Sequence, residues 1–383
     1  MDAAALVTPP YVAGPLRLLP FRGLMLSPGR VGNPTTGRAF ARPYKDVSNR
    51  LVRWQARGFV ERDEEPALYL HEYTSAGITV RGLVGALDVS RRATRPEDRA
   101  VLPHEGIHPA QADDLADRMA EMELNPAPIL LVHRATERLR DLLSEVTRGG
   151  TFREFTDRGE QQHRIWAIRD AASLAVVAEE LADSQALIAD GHHRYAAYLR
   201  LQRRRAGEGA QPAATDYGLA MLVDQDSTPL FLGPIHRTLV GTSLEDLRDA
   251  VQSVGLGYEE HPQGEAVAAL CATRLAATDG ERWAVVDLGA DPHQAAVETL
   301  HRRIVPALPH GPSSLAYHHS VDEALASARP DAVAVLMPAP SVDVVLEVAA
   351  ADRLLPEKAT SFQPKPSLGV LIRSLRDEPY GTS

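Results

Sequence analysis

The chain has 383 residues, with 51 acidic against 41 basic side chains, a formal charge of −10 and a single cysteine. At about 150 residues per domain this length predicts two or three domains, and 44% apolar residues suffice to build their cores. A lone cysteine excludes an intramolecular disulfide scaffold and a cysteine zinc cluster, and the acidic balance gives no general surface for nucleic acid.

The sequence also bears on the compartment in which the protein works. Its first twenty residues lack the basic segment of a signal peptide and contain Pro9, Pro10 and Pro15. No later segment approaches the ~20 uninterrupted apolar residues that a membrane span needs. We therefore expect a soluble, cytoplasmic protein that has no membrane partner and no nucleic-acid partner.

Hydrophobic periodicity predicts the elements of the first two thirds of the chain. A short amphipathic helix at 47–58 is followed by a β-hairpin over 67–73 and 78–88. A helix is expected to begin at Pro109, because proline loses no hydrogen bond at the first helical position. Strands then alternate with helices, which favours an α/β layer: strands 128–133, 163–168, 186–189 and 217–223, and helices 137–147, 171–182 and 192–205.

A second α/β stretch is predicted to begin near Ser243. Its expected helices cover 244–254, 264–276 and 342–350, and its expected strands cover 283–287, 315–318 and 332–336. The fold class expected for the whole chain is therefore mixed α/β.

The strongest motif is Ala189-Asp190-Gly191-His192-His193-Arg194-Tyr195, which follows a short apolar strand and opens a helix. A helix N-terminus offers unpaired N–H groups and the positive end of the helix dipole, glycine lets a ligand approach the backbone, and arginine can bind two oxygens at once. The motif predicts an anion site, most naturally for phosphate. A structural interpretation stays open, in which Asp190 only caps the helix and its neighbours are solvated.

A second motif, His104-Glu105-Gly106-Ile107-His108, matches the zinc-protease pattern of two histidines four residues apart with a glutamate base. That pattern requires one helical face, but Pro103, Gly106 and Pro109 predict a loop before a helix that starts after His108. A zinc hydrolase therefore stays only as an alternative. In a loop, Glu105 is an exposed carboxylate suited to act as a general base or a Mg²⁺ ligand.

Lysine is rare in this chain, which contains only Lys45, Lys358 and Lys365. Two of the three lie seven positions apart near the C-terminus. The sequence has no Walker A motif and no Gly-x-Gly-x-x-Gly loop, the two common nucleotide-binding signatures, and it has no Gly-x-Ser-x-Gly nucleophile elbow of a hydrolase. The chain therefore does not show the patterns of the common nucleotide folds.

Several segments occur in a characteristic order: Pro43-Tyr44-Lys45-Asp46-Val47, Val80-Arg81-Gly82-Leu83-Val84-Gly85, His104-Glu105, Asp117-Arg118, Pro128-Ile129, Ile188-Ala189-Asp190-Gly191-His192-His193-Arg194-Tyr195, Pro234-Ile235-His236-Arg237, and Leu355-Pro356-Glu357-Lys358-Ala359-Thr360-Ser361-Phe362-Gln363-Pro364-Lys365. Together they resemble the prokaryotic family called domain of unknown function 1015 (DUF1015) over nearly the whole chain. Their joint order is more specific than any single motif.

The resemblance implies a fold related to ParB-like and sulfiredoxin-like proteins, which include free-serine kinases with a similar Asp-Gly-His-His-Arg turn. It places an N-terminal extension at 1–60, a nucleotide-binding core at 60–240 and a C-terminal α/β domain at 241–383, which returns Lys358 and Lys365 to a cleft. It implies nucleotide-phosphate binding at Asp190, Gly191, His192, His193 and Arg194. The predicted phosphate-binding set also includes Lys358, Lys365 and Arg237, with the two lysines expected to neutralise developing charge.

The leading hypothesis is a small-molecule kinase that uses ATP or ADP with Mg²⁺ and phosphorylates serine or another small hydroxylated metabolite. Its catalytic residues are predicted to be Glu105, His104 and His193, with Glu105 also the candidate Mg²⁺ ligand. The alternative is a ParB-like nucleotide-binding switch or NTPase that acts through a partner. A homodimer is left open.

Overall fold

The structure is a computed structural model, and it describes residues 6–33, 47–206, 213–289 and 294–377. Lys45, one of the three lysines singled out above, lies outside the described residues. The helices, in chain order, are α1 (Val47–Ala56), α2 (Pro109–Met122), α3 (Glu137–Arg148), α4 (Ala171–Ala182), α5 (His192–Ala206), α6 (Leu244–Ser253), α7 (Gln263–Ala268), α8 (Ala296–Thr299), α9 (Val305–Ala307), α10 (Val321–Ser327) and α11 (Val342–Ala350).

The strands, in the same order, are β1 (Val12–Ala13), β2 (Leu18–Leu19), β3 (Gly23–Leu26), β4 (Val60–Arg62), β5 (Leu68–Ser75), β6 (Ile78–Asp88), β7 (Arg99–Leu102), β8 (Leu124–Asn125), β9 (Ile129–His133), β10 (Arg153–Thr156), β11 (Gln162–Ile168), β12 (Ala186–Asp190), β13 (Tyr217–Asp224), β14 (Phe231–Gly233), β15 (His236–Val240), β16 (Gly257–Glu260), β17 (Arg274–Thr278), β18 (Trp283–Asp287), β19 (Ser314–His318), β20 (Ala332–Leu336), β21 (Ser361–Gln363) and β22 (Ile372–Ser374). A π-helical turn, Leu300–Ile304, connects α8 to α9. This combination of helices and mixed sheets confirms the mixed α/β fold class.

The chain divides into two compact units. Unit 1 consists of Met1–Pro103, Ile107–Leu230 and Pro364–Ser383, and unit 2 consists of His104–Gly106 and Phe231–Gln363. Lys365 therefore belongs to unit 1, whereas Lys358 belongs to unit 2. The division expected from the sequence, into an N-terminal extension at 1–60, a core at 60–240 and a C-terminal domain at 241–383, stays a prediction.

Unit 1 is built around a ten-stranded mixed sheet in the order β1-β7-β12-β9-β13-β6-β5-β11-β10, with β2 paired to β6. The pairs β7–β12 and β9–β13 are parallel, and the other pairs are antiparallel. Leu83, Leu131, Ile188 and Leu222 are each at most 2% exposed in its core. Burial of such side chains is the main stabilising contribution in a sheet of this kind.

Helix α5 packs closely on this sheet through its tyrosines. Tyr198 lies so near β13 that a Cβ added at Gly218 would be 2.1 Å from the tyrosine Cδ2, so only glycine fits there. The Tyr195 hydroxyl donates to the Pro10 carbonyl at 2.8 Å and accepts the Val12 N–H at 3.1 Å. These contacts fix the start of α5, where the predicted phosphate motif lies.

A smaller four-stranded sheet of unit 1 has the order β4-β3-β22-β8. It brings the N-terminal strand β3 next to β22, which lies close to the C-terminus. Helix α2 begins at Pro109, which confirms the predicted start, and Glu123 ends it in a left-handed conformation.

Unit 2 contains a six-stranded antiparallel sheet in the order β16-β18-β17-β20-β15-β19 and a two-stranded sheet of β14 and β21. The short segment His104–Gly106 belongs to it because Glu105 forms a parallel bridge with Leu355, and the Leu355 N–H donates to the His104 carbonyl at 2.8 Å.

The helix predicted over 264–276 is wrong in its second half. The helix ends at Ala268, and Arg274–Thr278 forms β17 between β18 and β20. Alanine-rich segments favour helix, but Leu275, Ala276 and Ala277 are fully buried here, and pairing on both sides outweighs local propensity. Within the described residues, no helix is both long and apolar enough to cross a membrane.

Candidate functional site

The turn between β12 and α5 depends on one glycine. Gly191 has a φ of +97°, a conformation that residues with a side chain rarely adopt. A Cβ at this position would also lie 3.0 Å from Ile129 Cγ2 and 3.1 Å from Arg194 Nη2. Glycine therefore lets the strand pass directly into the helix while the Arg194 side chain folds back over the turn.

Two cations converge on Asp190 at this turn. Arg194 Nη2 donates to Asp190 Oδ2 at 2.5 Å, and its Nη1 donates to the Pro128 carbonyl at 2.5 Å. The Lys365 ammonium pairs with Asp190 Oδ1. We call Asp190, Arg194 and Lys365 the phosphate cluster, and all three belong to unit 1.

The electrostatics of the cluster favour an anion. Burial alone would raise the pKa of the Asp190 carboxyl, but Arg194 and Lys365 hold that pKa below its usual range. Asp190 thus stays ionised, and two basic side chains against one carboxylate leave an excess positive charge beside the N-terminus of α5. Phosphate is the ligand that such a combination of N–H groups, glycine and arginine binds best.

The two histidines of the motif are less suited to act as cations. His192 is 7% exposed, and burial lowers its pKa to about 3, so it is neutral at physiological pH. His193 Nε2 accepts the His108 N–H at 3.0 Å, and its ring stacks on that of His108. His193 thereby satisfies a backbone donor at the N-cap of α2.

The predicted site residue Glu105 lies in an extended segment of unit 2. His104–Gly106 is not helical, and helix α2 begins only at Pro109. Because residues 104–108 are not helical, His104 and His108 do not share the helical face that the zinc-protease motif requires. This finding removes the basis on which the zinc alternative was kept.

A chain of hydrogen bonds orients the Glu105 carboxylate. The Thr360 hydroxyl donates to Glu105 Oε1 at 3.1 Å, and Thr360 Oγ1 lies 2.8 Å from His104 Nε2. Since a hydroxyl has one proton, His104 Nε2 must carry the hydrogen that Thr360 accepts. His104 is fully buried and packs edge-on against Phe362, which fixes its ring.

The pKa of Glu105 is shifted in the direction opposite to that of Asp190. Burial raises the pKa of the Glu105 carboxyl, and this effect outweighs the opposing hydrogen bonds from Thr360 and Ala359 and the charge of Lys358. A carboxylate with a raised pKa and a fixed orientation is suited to accept a proton. Lys358 itself is exposed and has a left-handed backbone, with a φ of +55°.

Arg237 holds the loop that carries Lys358. Its side chain is 1% exposed, its Nη2 donates to the Lys358 carbonyl at 2.7 Å, and its Nη1 donates to the Ile235 carbonyl. Burial lowers the pKa of this guanidinium to about 10, which still leaves it charged at neutral pH. Arg237 therefore positions residues of unit 2, whereas the sequence predicted that it binds phosphate directly.

A small cavity of about 130 Å³ in unit 2 shares residues with this region. Arg237 and Ala359 contribute to its wall, together with Ser341, which caps helix α11.

A family model described as Protein of unknown function (DUF1015) matches residues 23–300. The chain belongs to this family. No curated protein matches this DUF1015 chain significantly.

Solved structures give only distant likenesses to the DUF1015 chain. A free serine kinase in complex with AMP is 16% identical, with a TM-score of 0.38, and the match covers 71% of this chain and 88% of that one. SbnI from Staphylococcus aureus, with a C-terminal truncation, is 12% identical, with a TM-score of 0.41 and coverage of 72% and 84%. A conserved hypothetical protein from Pyrococcus furiosus is 15% identical, with a TM-score of 0.38 and coverage of 72% and 93%. At these TM-scores the likenesses support no inference about function.

A resident metal does not fit the candidate residues of this DUF1015 chain. Within the described residues, no three histidine, cysteine, aspartate or glutamate side chains come together as a metal site. Glu105, the predicted Mg²⁺ ligand, has its carboxylate surrounded by hydrogen-bond donors and its pKa raised, which favours protonation over metal binding. The donor set at Glu105 therefore suits a proton acceptor better than a cation site.

Two residues that the sequence did not single out contact predicted site residues or the segment that carries one. Thr360 orients Glu105, and Gln161 contacts the segment that carries Lys365. Thr360 lies within the segment 355–365 that carries the family resemblance, so its hydroxyl could have been considered as a hydrogen-bond partner. No sequence pattern pointed to Gln161, because its hydrogen-bond partners are about two hundred positions away along the chain.

Proposed function

We propose that this DUF1015 chain is a nucleotide-dependent phosphotransferase that acts on a small hydroxylated acceptor. The observation that carries the proposal is the phosphate cluster, in which Arg194 and Lys365 converge on Asp190 at the glycine turn before α5. This arrangement supports binding of nucleotide phosphates by unit 1.

Phosphoryl transfer needs mainly positioning and charge neutralisation, together with a base for the acceptor hydroxyl. Glu105 is the proposed base, because its raised pKa and its hydrogen bond from Thr360 suit proton acceptance. The P–O bond to the leaving nucleotide breaks, a new P–O bond forms to the acceptor oxygen, and the hydroxyl proton passes to Glu105.

The other predicted residues take supporting roles in this proposal. His104 positions Thr360, Arg237 positions the loop of Lys358, and His193 supports the start of α2. His192 contributes a neutral ring beside Asp190. Mg²⁺ enters only as the counter-ion that the nucleotide phosphates carry.

The acceptor is proposed to be a small hydroxylated metabolite, with serine the first to test. The cavity of about 130 Å³ beside Ala359 admits a molecule of that size, and Ala359 also donates to Glu105.

The test is to incubate the full chain with ATP or ADP, Mg²⁺ and serine or another small hydroxylated metabolite, and to follow phosphorus by ³¹P NMR. The proposal expects a new phosphomonoester signal that grows as the nucleotide loses one phosphate. Release of inorganic phosphate alone with every acceptor would overturn the transferase assignment and favour a nucleotide-hydrolysing switch.

A further inference from the structure

Lys365 reaches Asp190 from a segment that has no regular secondary structure. It follows β21, and no ladder hydrogen bonds hold its backbone. The lysine side chain is 48% exposed, so packing alone does not fix its ammonium. An irregular segment with a long side chain loses much conformational entropy when it is held in one place. Other contacts must therefore hold this segment.

Gln161 supplies three of those contacts. Its Nε2 donates to the Lys365 carbonyl at 3.0 Å, and its Oε1 accepts both the Ser367 N–H and the Ser367 hydroxyl at 3.1 Å. The amide thus binds the chain on both sides of Pro366. The Tyr73 hydroxyl adds a fourth hydrogen bond, to the Pro364 carbonyl at 2.6 Å.

Gln161 is itself held by the hairpin loop between β10 and β11. Asp157 Oδ1 accepts the N–H groups of Gly159 at 2.7 Å and Gln161 at 3.0 Å, and the Asp157 N–H donates to the Gln161 carbonyl at 2.9 Å. These bonds close residues 157–161 into a defined turn. The position of the Gln161 side chain is therefore set before it meets residues 364–367.

A buried pair of histidines is hydrogen-bonded to Asp157. His163 Nε2 lies 3.2 Å from Asp157 Oδ2, and His71 Nε2 lies 3.0 Å from His163 Nδ1. Both rings are at most 2% exposed, and burial lowers the pKa of each, so each ring carries one proton. The only consistent arrangement runs from His71 N–H to His163 and from His163 N–H to Asp157.

We propose that Gln161 is the positioning residue of Lys365: it holds residues 364–367 so that the lysine ammonium rests on Asp190. The geometric part of this proposal concerns unit 1 alone. Its consequence, a tighter nucleotide site, rests on the proposed function.

The first test measures Lys365 directly and needs no nucleotide. The intact protein is treated with a low dose of acetic acid N-hydroxysuccinimide ester, and mass spectrometry gives the acetylation rates at Lys365 and Lys358. Gln161→Ala is expected to raise the ratio of the Lys365 rate to the Lys358 rate several-fold. Gln161→Glu keeps the acceptor for Ser367 but loses the donor to the Lys365 carbonyl, and its ratio should be intermediate.

The matched control is Gln185→Ala. Gln185 is an exposed glutamine of unit 1 whose Nε2 donates to the Arg99 carbonyl at 2.9 Å, outside the cluster. This control should leave the ratio unchanged. An unchanged ratio in both Gln161 variants, with unaltered thermal unfolding, would overturn the positioning role.

The second test measures the consequence for ADP affinity by titration calorimetry. Gln161→Ala is expected to weaken ADP binding several-fold in the wild-type background and to have little effect beside Lys365→Ala, because the two act through one contact. Additive losses would show that Gln161 acts on something other than Lys365. If the wild-type protein binds no nucleotide, the proposed function fails while the acetylation ratio still decides the positioning role.

Discussion

The two candidate carboxylates of this protein have opposite environments. Asp190 in unit 1 is surrounded by Arg194 and Lys365, which hold its pKa below the usual range. Glu105 in unit 2 accepts hydrogen bonds from Thr360 and Ala359, and burial raises its pKa despite these bonds and the charge of Lys358. Pairs of acids whose surroundings separate their pKa values commonly divide the work of binding and proton transfer. Under the proposed function, Asp190 and its cations would bind the charged ligand, and Glu105 would accept the proton.

The largest effect is expected from Glu105→Gln. This change keeps the shape of the side chain but removes its capacity to accept a proton, which is worth roughly 10² to 10⁴ in turnover rate. Steady-state kinetics should show this loss in kcat. Calorimetry should show an ADP affinity within about twofold of wild type, because the proposal places phosphate binding at the phosphate cluster and not at Glu105.

The matched control is Glu281→Gln, an exposed glutamate of unit 2. It should retain full activity. A wild-type turnover rate in Glu105→Gln would show that Glu105 is not the proton acceptor, and it would contradict the proposed division of roles between Glu105 and Asp190.

Arg194→Ala should produce the next largest effect, in binding. A hydrogen bond to a charged group contributes about 1.5 to 3 kcal/mol, so ADP affinity should fall about 10- to 100-fold. Arg200→Ala serves as the control, since Arg200 lies on the same helix and pairs with Asp113 at 2.5 Å. Equal losses of ADP affinity in the two variants would mean that binding depends on the total positive charge of α5 and not on a contact made by Arg194.

Most of the site in unit 1 could be predicted from local sequence. Asp190, Gly191 and Arg194 lie within five positions, and the strand–turn–helix context that gives them meaning is itself a local pattern. Lys365 was noticed only because lysine is so rare in this chain. Its contact with Asp190 depends on residues 175 positions apart, which no periodicity predicts.

The site in unit 2 shows the limit of such reasoning more clearly. The loop before α2 was correctly predicted from Pro103, Gly106 and Pro109, but the role of Thr360 depends on a contact 255 positions away. The same limit explains the error at 264–276. Leu275 and its neighbours have local helix propensity, and only the adjacent strands of the sheet reveal that they form β17.

The opposite pKa shifts predict different pH responses for activity and for binding. Glu105 accepts a proton only when ionised, so kcat should be retained above its raised pKa and lost as the pH falls through that value. Asp190 has a lowered pKa and stays ionised over this interval, so the Kd for ADP should remain nearly constant there. The check is a pH series of kcat with a parallel calorimetric series, and parallel losses in both would contradict the division of roles.

Thr360→Val should give the smallest effect. It removes the hydroxyl that stabilises ionised Glu105, so the acid limb of the kcat profile should move to higher pH while kcat at alkaline pH is largely retained. Thr273→Val is the control, because its hydroxyl lies 3.5 Å from Cys271 in another part of unit 2. An unshifted pH profile of kcat in Thr360→Val would show that the Thr360 hydroxyl does not influence the group that accepts the proton.

The central claim is that the phosphate cluster recognises the phosphates of a nucleotide. Titration calorimetry of adenosine, AMP and ADP against the wild-type protein tests it most directly. The account predicts that affinity rises with each phosphate and that Arg194→Ala removes most of this increase. Equal affinity for adenosine and ADP, or no binding of ADP, would contradict it.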